Sequence, residues 1–292
     1  MILLFGLMAI GFIGNKTGIM DQVSEKKFSQ FIVNISIPAT IINSTIGQST
    51  ENKAAVFQIM AVAAGVFIFI PIVSTLLTKI LKIERTYELM LNYSNLGFMG
   101  IPLVLSVYGE EYVLYVSVFM MVFNISLFSH GISILHIGNK KNGINIKKLL
   151  NPGILAAFIA IIIFMFKIPI PALLSNIISN IGSSTTPLAM IVIGSTLANV
   201  KIIDVLKDKM IYVYTILRLI VYPLLAFVIL RMFINDPIIL GITVMLIGLP
   251  TAGNISMVCA EYNGNVELVT KGLCMSTIFS LVTIPIIMLV VK

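Results

Sequence analysis

The chain has 292 residues, of which 58% are apolar and 11% charged, with a formal net charge of +7 and a mean hydropathy of +1.06. That balance excludes a water-soluble domain, because so apolar a chain cannot cover its surface with solvated groups. Nor does the positive charge mark a nucleic-acid binder: the Lys and Arg residues are scattered among short loops instead of forming one patch, and membrane topology explains them better.

Apolar runs of about 17 to 25 residues, each able to cross a ~30 Å hydrocarbon core as a helix, recur from end to end. Ten are read, near 1–14, 28–46, 54–78, 89–108, 111–137, 153–168, 177–199, 210–233, 237–260 and 266–291. Stretches such as Ala54 to Leu77 are continuously apolar, without the alternation a barrel strand shows. The expected fold is therefore an all-α integral membrane protein of ten transmembrane helices. The first run reaches only ~20 Å, and no basic region precedes it as in a signal peptide; a start codon placed too late is the expected explanation. Residues 138–152 form a basic linker carrying Lys140, Lys141, Lys147 and Lys148, with no soluble domain in it.

Lys and Arg alternate along the loops, thirteen in the odd-numbered loops against three in the even-numbered ones. By the positive-inside rule the odd loops are cytoplasmic, which puts both termini of a ten-span chain outside a plasma or inner membrane. Prolines expose an internal repeat. Pro38 precedes Pro102 by 64 positions, and Pro187, in TTPLAMIVIGSTLA, precedes Pro250 by 63. Two five-helix halves are expected, over 1–137 and 153–292, and because five is odd they must have inverted topology.

The fourth run, ELMLNYSNLGFMGIPLVLSVYG, and the ninth, IILGITVMLIGLPTAGNISMVCAEYN, read as broken helices. Pro102 and Pro250 each remove a backbone donor and clash with the preceding turn, while Gly97, Gly100, Gly248 and Gly253 relax the chain further. A structural kink is the commoner reading of one proline. Two kinks at equivalent places favour a site where half-helix ends hold ions at mid-membrane. Polar groups cluster there: Asn92, Ser94 and Asn95 in one run, Thr251, Asn254 and Ser256 in the other. Uncharged amides near helix N-termini suit a carboxylate.

Among the other polar residues, Asn124, Ser126, Ser129 and His130 line the fifth run and Asn34 and Asn43 flank Pro38; interhelical hydrogen bonding is their default, with Asn124 placed next to the cavity. Arg218 is the one basic residue deep in a run, read either as a structural anchor or as an attractor of anions. Lys271, near a helix start, is expected to snorkel. Cys259 and Cys274 read as small buried apolar residues with no metal-ligand spacing. All twelve acidic residues, Glu88 included, fall in loops or near run ends, so no buried carboxylate for a proton or sodium ion is expected. Voltage-driven movement of an anion without a coupling ion follows from that.

The segments NLGFMGIPLVLSVYG, VFNI, NPGILAAFIA, TTPLAMIVIGSTLA, LRLIVYPLLA and LPTAGNISMVCAEYNG occur in order and resemble the successive signature segments of the auxin efflux carrier family, from about Gly11 to Pro285. That family includes plant auxin exporters and bacterial carriers linked to malate, malonate and similar anions. The resemblance implies a ten-helix inverted-repeat carrier similar in fold to bile-acid and sodium-proton transporters, its fourth and ninth helices crossing at Pro102 and Pro250. It also implies a substrate carboxylate held near that crossover, where Asn95 matches the plant family's asparagine. The long cytoplasmic loop of many plant members is absent here, which sets auxin aside as the substrate. The expectation is a secondary transporter for a small mono- or dicarboxylate, embedded in lipid, with a homodimer as candidate assembly and no cofactor, metal or nucleic acid. An ion-coupled symporter, a membrane receptor and a channel are the alternatives. An intramembrane enzyme is disfavoured by the absence of HExxH, a catalytic Asp pair or a Ser-Lys arrangement.

Overall fold

The computed structural model describes residues 2–46, 53–135, 152–199, 205, 207–262 and 264–291. The basic linker at 138–152, apart from Pro152, lies outside the described residues, as does Lys201.

The described chain is helical. It begins with α1 (Ile2–Lys16) and α2 (Gln22–Phe31), and α2 runs through a π-turn at Ile32–Ser36 into α3 (Ile37–Asn43). Then come α4 (Lys53–Leu81), α5 (Arg85–Asn92), a π-turn at Leu96–Gly100, α6 (Ile101–Val107) and α7 (Val113–Ser126), which passes through a π-turn at Leu127–Gly131 into α8 (Ile132–Leu135). The remainder is α9 (Pro152–Phe166), α10 (Ala172–Ser183), α11 (Thr185–Ala198), α12 (Lys209–Ile216), a π-turn at Leu217–Val221, α13 (Tyr222–Leu230), α14 (Pro237–Ile247), α15 (Asn254–Glu261) and α16 (Val266–Val291). Local sequence sets several of these boundaries. Asp21 accepts from the Ser24 amide at 2.7 Å while Ser24 Oγ accepts from the Asp21 amide at 2.8 Å, closing a capping box at the start of α2. Asp236 caps α14 by accepting from the Ile238 and Ile239 amides, just before Pro237 at its first position.

Three of the π-turns share a cause. The turns at Ile32–Ser36, Leu96–Gly100 and Leu217–Val221 each end two residues before a proline, Pro38, Pro102 and Pro223 respectively. Proline supplies no amide to the preceding turn and its ring collides with the carbonyl four residues back. Widening that turn removes the collision and lets the helix continue. Pro102 is thus carried inside a helix, and the extended break in the fourth run falls earlier, at Tyr93–Asn95.

Among the described residues, five helical stretches are long and apolar enough to cross a membrane: Ala54–Leu81, Glu110–Leu135, Ala172–Ala198, Lys209–Leu230 and Val266–Val291. Shorter apolar helices occupy Leu3–Lys16, Leu96–Val107, Pro152–Phe166 and Pro237–Ile247. The described residues thus give a helical chain with several membrane-length helices, a coarser picture than the ten expected, of which the fourth and ninth were to be broken. The fourth and ninth runs are split, the second opens on the polar α2, and the first and sixth are only fifteen residues each.

The contacts divide the chain into two compact units, one of Met1–Ile59, Leu96–Met121 and Leu149–Val200, the other of Met60–Asn95, Val122–Lys148 and Lys201–Lys292. In the first unit α1 packs along α11 at two reciprocal glycines: a Cβ on Gly11 would stand 2.0 Å from the Ile191 carbonyl oxygen, and one on Gly194 1.9 Å from that of Met8. Small residues of this kind let helix backbones touch where lipid gives no hydrophobic drive. Polar ties lock the same pair. Asn15 Nδ2 donates to Ser195 Oγ at 3.1 Å, and Lys16 Nζ to the Ala198 carbonyl at the end of α11 at 2.8 Å. Beside them Thr40 Oγ1 meets Thr185 Oγ1 at 2.7 Å and donates to the Gly182 carbonyl at 3.0 Å, so the Pro38 and Pro187 segments touch.

Candidate functional site

The second unit contains the break regions. α5 stops at Asn92 and α14 at Ile247, and each is followed by a few residues of non-helical chain. These extended pieces run antiparallel with Ser94 opposite Thr251. The Asn95 amide donates to the Pro250 carbonyl at 2.9 Å, and the Ala252 amide donates to the Tyr93 carbonyl at 3.0 Å. Backbone groups that a broken helix would leave orphaned are thereby paired with each other, which is what permits irregular chain away from water.

Arg218 completes the crossover. It is fully buried, carried by the π-turn ahead of Pro223. Its Nε donates to the Leu249 carbonyl at 3.1 Å, one terminal nitrogen to the Leu91 carbonyl at 2.7 Å, and the other to Ser94 Oγ at 2.5 Å. The ends of α5 and α14 expose carbonyls with partial negative charge, and one planar guanidinium serves both, a fork geometry lysine lacks. No acidic side chain of the described residues pairs with it. Of the two sequence readings of Arg218, these bonds describe the anchor: its guanidinium ties the ends of both interrupted helices together.

The other expected site residues fall into two groups. Thr251 is buried, its hydroxyl bonded to that of Tyr214 and its amide facing Ser276 Oγ at 3.3 Å. Asn92 is buried with Oδ1 2.5 Å from Ser74 Oγ, while its Nδ2 lacks a partner among the described residues. Asn95 and Asn124 are buried and engaged. Asn254, in contrast, is exposed at the first position of α15, next to exposed Gly253. Pro250 sits inside the break; Gly248 ends α14, where a Cβ would meet Ile287 Cδ1 at 3.1 Å and Pro223 Cβ at 3.3 Å. Gly97, Gly100 and Pro102 belong to the first unit.

Several residues were not anticipated. Tyr93 packs against Phe67 and Phe123 and donates to the Ser126 carbonyl at 2.9 Å, fixing the backbone beside Ser94. Tyr214 supports Thr251. A tyrosine inside an apolar run is a usable signal, because its hydroxyl must find a partner when buried. Lys271, expected to snorkel, reaches back one turn toward the helix start and pairs with exposed Glu267 at 2.7 Å. Asn34 turns outward and bonds its own helix at the Gln30 carbonyl, and Asn43 reaches Glu110. Cys259 and Cys274 are buried and unpaired, as expected.

The largest correction concerns Glu88. Read from sequence as lying at a run end, it occupies the first turn of α5 and is 4% exposed. Thr75 Oγ1 lies in short contact with Glu88 Oε1, and Thr78 Oγ1 is 3.5 Å from Oε2. The unit does contain a buried carboxylate.

An all-helical, multi-pass membrane chain whose broken helices are tied by backbone bonds and a buried arginine has the build of a solute transporter. The family model described as membrane transport protein matches residues 1–145 and 139–288, and the chain belongs to that family, the auxin efflux carriers and their relatives. It is a family of transporters and not of enzymes. An uncharacterized transporter of Methanothermobacter thermautotrophicus is 22% identical over 96% of this chain and 93% of its own length. A Rhizobium meliloti protein provisionally named a malonate transporter is 24% identical over 96% and 91%. The lysosomal cholesterol signaling protein of Mus musculus is 24% identical over 94% of this chain, which spans about a third (35%) of that longer protein.

Proposed function

We propose that the protein is a secondary transporter for a small organic anion, a mono- or dicarboxylate of the malate or malonate kind. The observation that carries this reading is Arg218: a fully buried guanidinium with no acidic partner among the described residues, fixed where two interrupted helices cross. Burying a charge is costly unless it is compensated, and an anion arriving at the crossover supplies the missing charge. Asn254, exposed at the start of α15, adds a side-chain donor beside the backbone amides of a helix N-terminus, where carboxylates are favoured. Asn92 and Asn95 of the fourth run, with Thr251 and Asn124, complete the set of substrate-binding residues in this reading. The relative provisionally named a malonate transporter agrees with a carboxylate cargo.

In this reading the chain forms ten membrane-crossing segments in two inverted halves, 1–137 and 153–292, joined by the basic linker. The pairing of equivalent segments supports it: the Pro38 stretch meets the Pro187 stretch, and Ser94 faces Thr251 across the reciprocal backbone bonds. The odd loops face the cytoplasm of a cell membrane and both termini the outside. Contacts between Lys16 and Ala198, and between Asn265 and Glu84, join odd loops to odd loops, and Asn43 with Glu110 joins even to even. The test is uptake and efflux by the purified protein in liposomes against labelled mono- and dicarboxylates. Saturable flux of at least one is expected; a flat response across the panel rejects an organic-anion cargo.

A further inference from the structure

Glu88 is not used by the crossover, and its surroundings are unusual for a buried carboxylate. No lysine, arginine or histidine of the described residues forms an ion pair with it. Among the titratable groups, His130, Tyr93 and Tyr222 sense its charge from neighbouring elements. Its direct neighbours are hydroxyls of α4, and those hydroxyls are already engaged: Thr75 Oγ1 lies 2.8 Å from the Pro71 carbonyl and Thr78 Oγ1 3.1 Å from the Thr75 carbonyl.

A threonine hydroxyl has one hydrogen and two lone pairs. Two hydrogens therefore face four acceptor contacts, two from carbonyl oxygens and two from the carboxylate. Where the hydroxyls donate to the carbonyls of their own helix, their lone pairs confront Glu88 with nothing positive between. One turn along α5 the shortage repeats. Ser74 Oγ is 3.0 Å from the Pro71 carbonyl and 2.5 Å from Asn92 Oδ1. Exchanging the amide oxygen and nitrogen of Asn92, which the hydrogen-bond network must decide, lets the amide donate to Ser74 and frees a buried oxygen. Tyr222 brings a further buried hydroxyl beside Ser74 and within the field of Glu88.

We propose that Glu88, with Thr75 and Thr78, forms a binding site for a small hard monovalent cation, sodium in particular. Oxygen donors, a single carboxylate and helix hydroxyls make up the ligand chemistry such ions take. The carboxylate is buried with no positive partner among the described residues, and a cation held between it and the hydroxyl oxygens supplies the missing charge. The site goes beyond the transport assignment and does not depend on which solute is carried.

The experiment is thermal unfolding of the purified full-length protein in detergent, titrated with sodium chloride against N-methylglucamine chloride at constant ionic strength and pH. The expected result is a Tm that rises and saturates with sodium alone, with the response lost in Glu88→Gln and its midpoint moved at least tenfold higher in Thr75→Val. Should Glu88→Gln fail to fold, Thr75→Val and Thr78→Val, which keep the carboxylate and remove one ligand each, carry the comparison. Equal stabilisation by both salts, a Tm that responds to pH and not to sodium, or a sodium response unchanged in these variants would overturn the proposal.

Discussion

At the scale of single residues, Arg218 and Asn254 make opposite predictions. Arg218→Ala strands the Leu91 and Leu249 carbonyls and the Ser94 hydroxyl in a dry environment, and each such orphan costs ~1 to 3 kcal/mol. A marked fall in Tm together with lost flux is expected. Arg218→Lys keeps the charge but not the fork, so it recovers only part of the stability. Asn254→Ala removes an exposed side chain, and surface changes of that kind stay within about ±0.5 kcal/mol. Its Tm stays near that of the wild type while carboxylate transport falls, and a variant that transports normally would remove Asn254 from the site. Arg218 stood out in the sequence as the lone cation deep in an apolar run. Its three bonds did not, since they reach residues 31, 127 and 124 positions away in the chain. Glu88 does lie near a run end, in the first turn of α5, but its burial was not legible because that is decided by the facing helix, α4. With a buried carboxylate in place, the expectation of transport without a coupling ion loses its premise.

At the scale of elements, helix identity and most boundaries were legible from apolar runs, caps and prolines. The position of the break was not. Pro102 looked like the interruption of the fourth run, yet a π-turn absorbs it, and the chain leaves the helix at Tyr93, where the crossing strand offers backbone partners. Pro102→Ala removes the reason for that turn. Because proline in a helix interior is disfavoured by ~3 kcal/mol relative to alanine, the variant is expected to be more stable and slower, read by Tm and turnover together. The crossing of α1 and α11 gives a sharper contrast. Gly194→Leu would drive a side chain into the Met8 backbone and Gly11→Leu into that of Ile191, so both should fail to yield folded protein in detergent. Gly65→Ala, in open space on α4, is expected to be neutral or to stabilise by up to ~1 kcal/mol, since alanine is the better helix former. Equal expression and Tm for Gly194→Leu and Gly65→Ala would contradict the close approach of α1 and α11.

For the whole molecule, the central claim is that a small carboxylate crosses the membrane through the Arg218 crossover. A dianion accompanied by one sodium ion still carries one net negative charge, and a 100 mV potential is worth ~2.3 kcal/mol per charge, roughly a fifty-fold bias. The most direct measurement is efflux of labelled malonate or malate from liposomes containing the purified protein, with sodium equal on both sides and the voltage set by potassium and valinomycin. The account predicts efflux that accelerates as the interior is made negative and is largely lost in Asn254→Ala; carboxylate flux absent at every voltage, or undiminished in that variant, would contradict it.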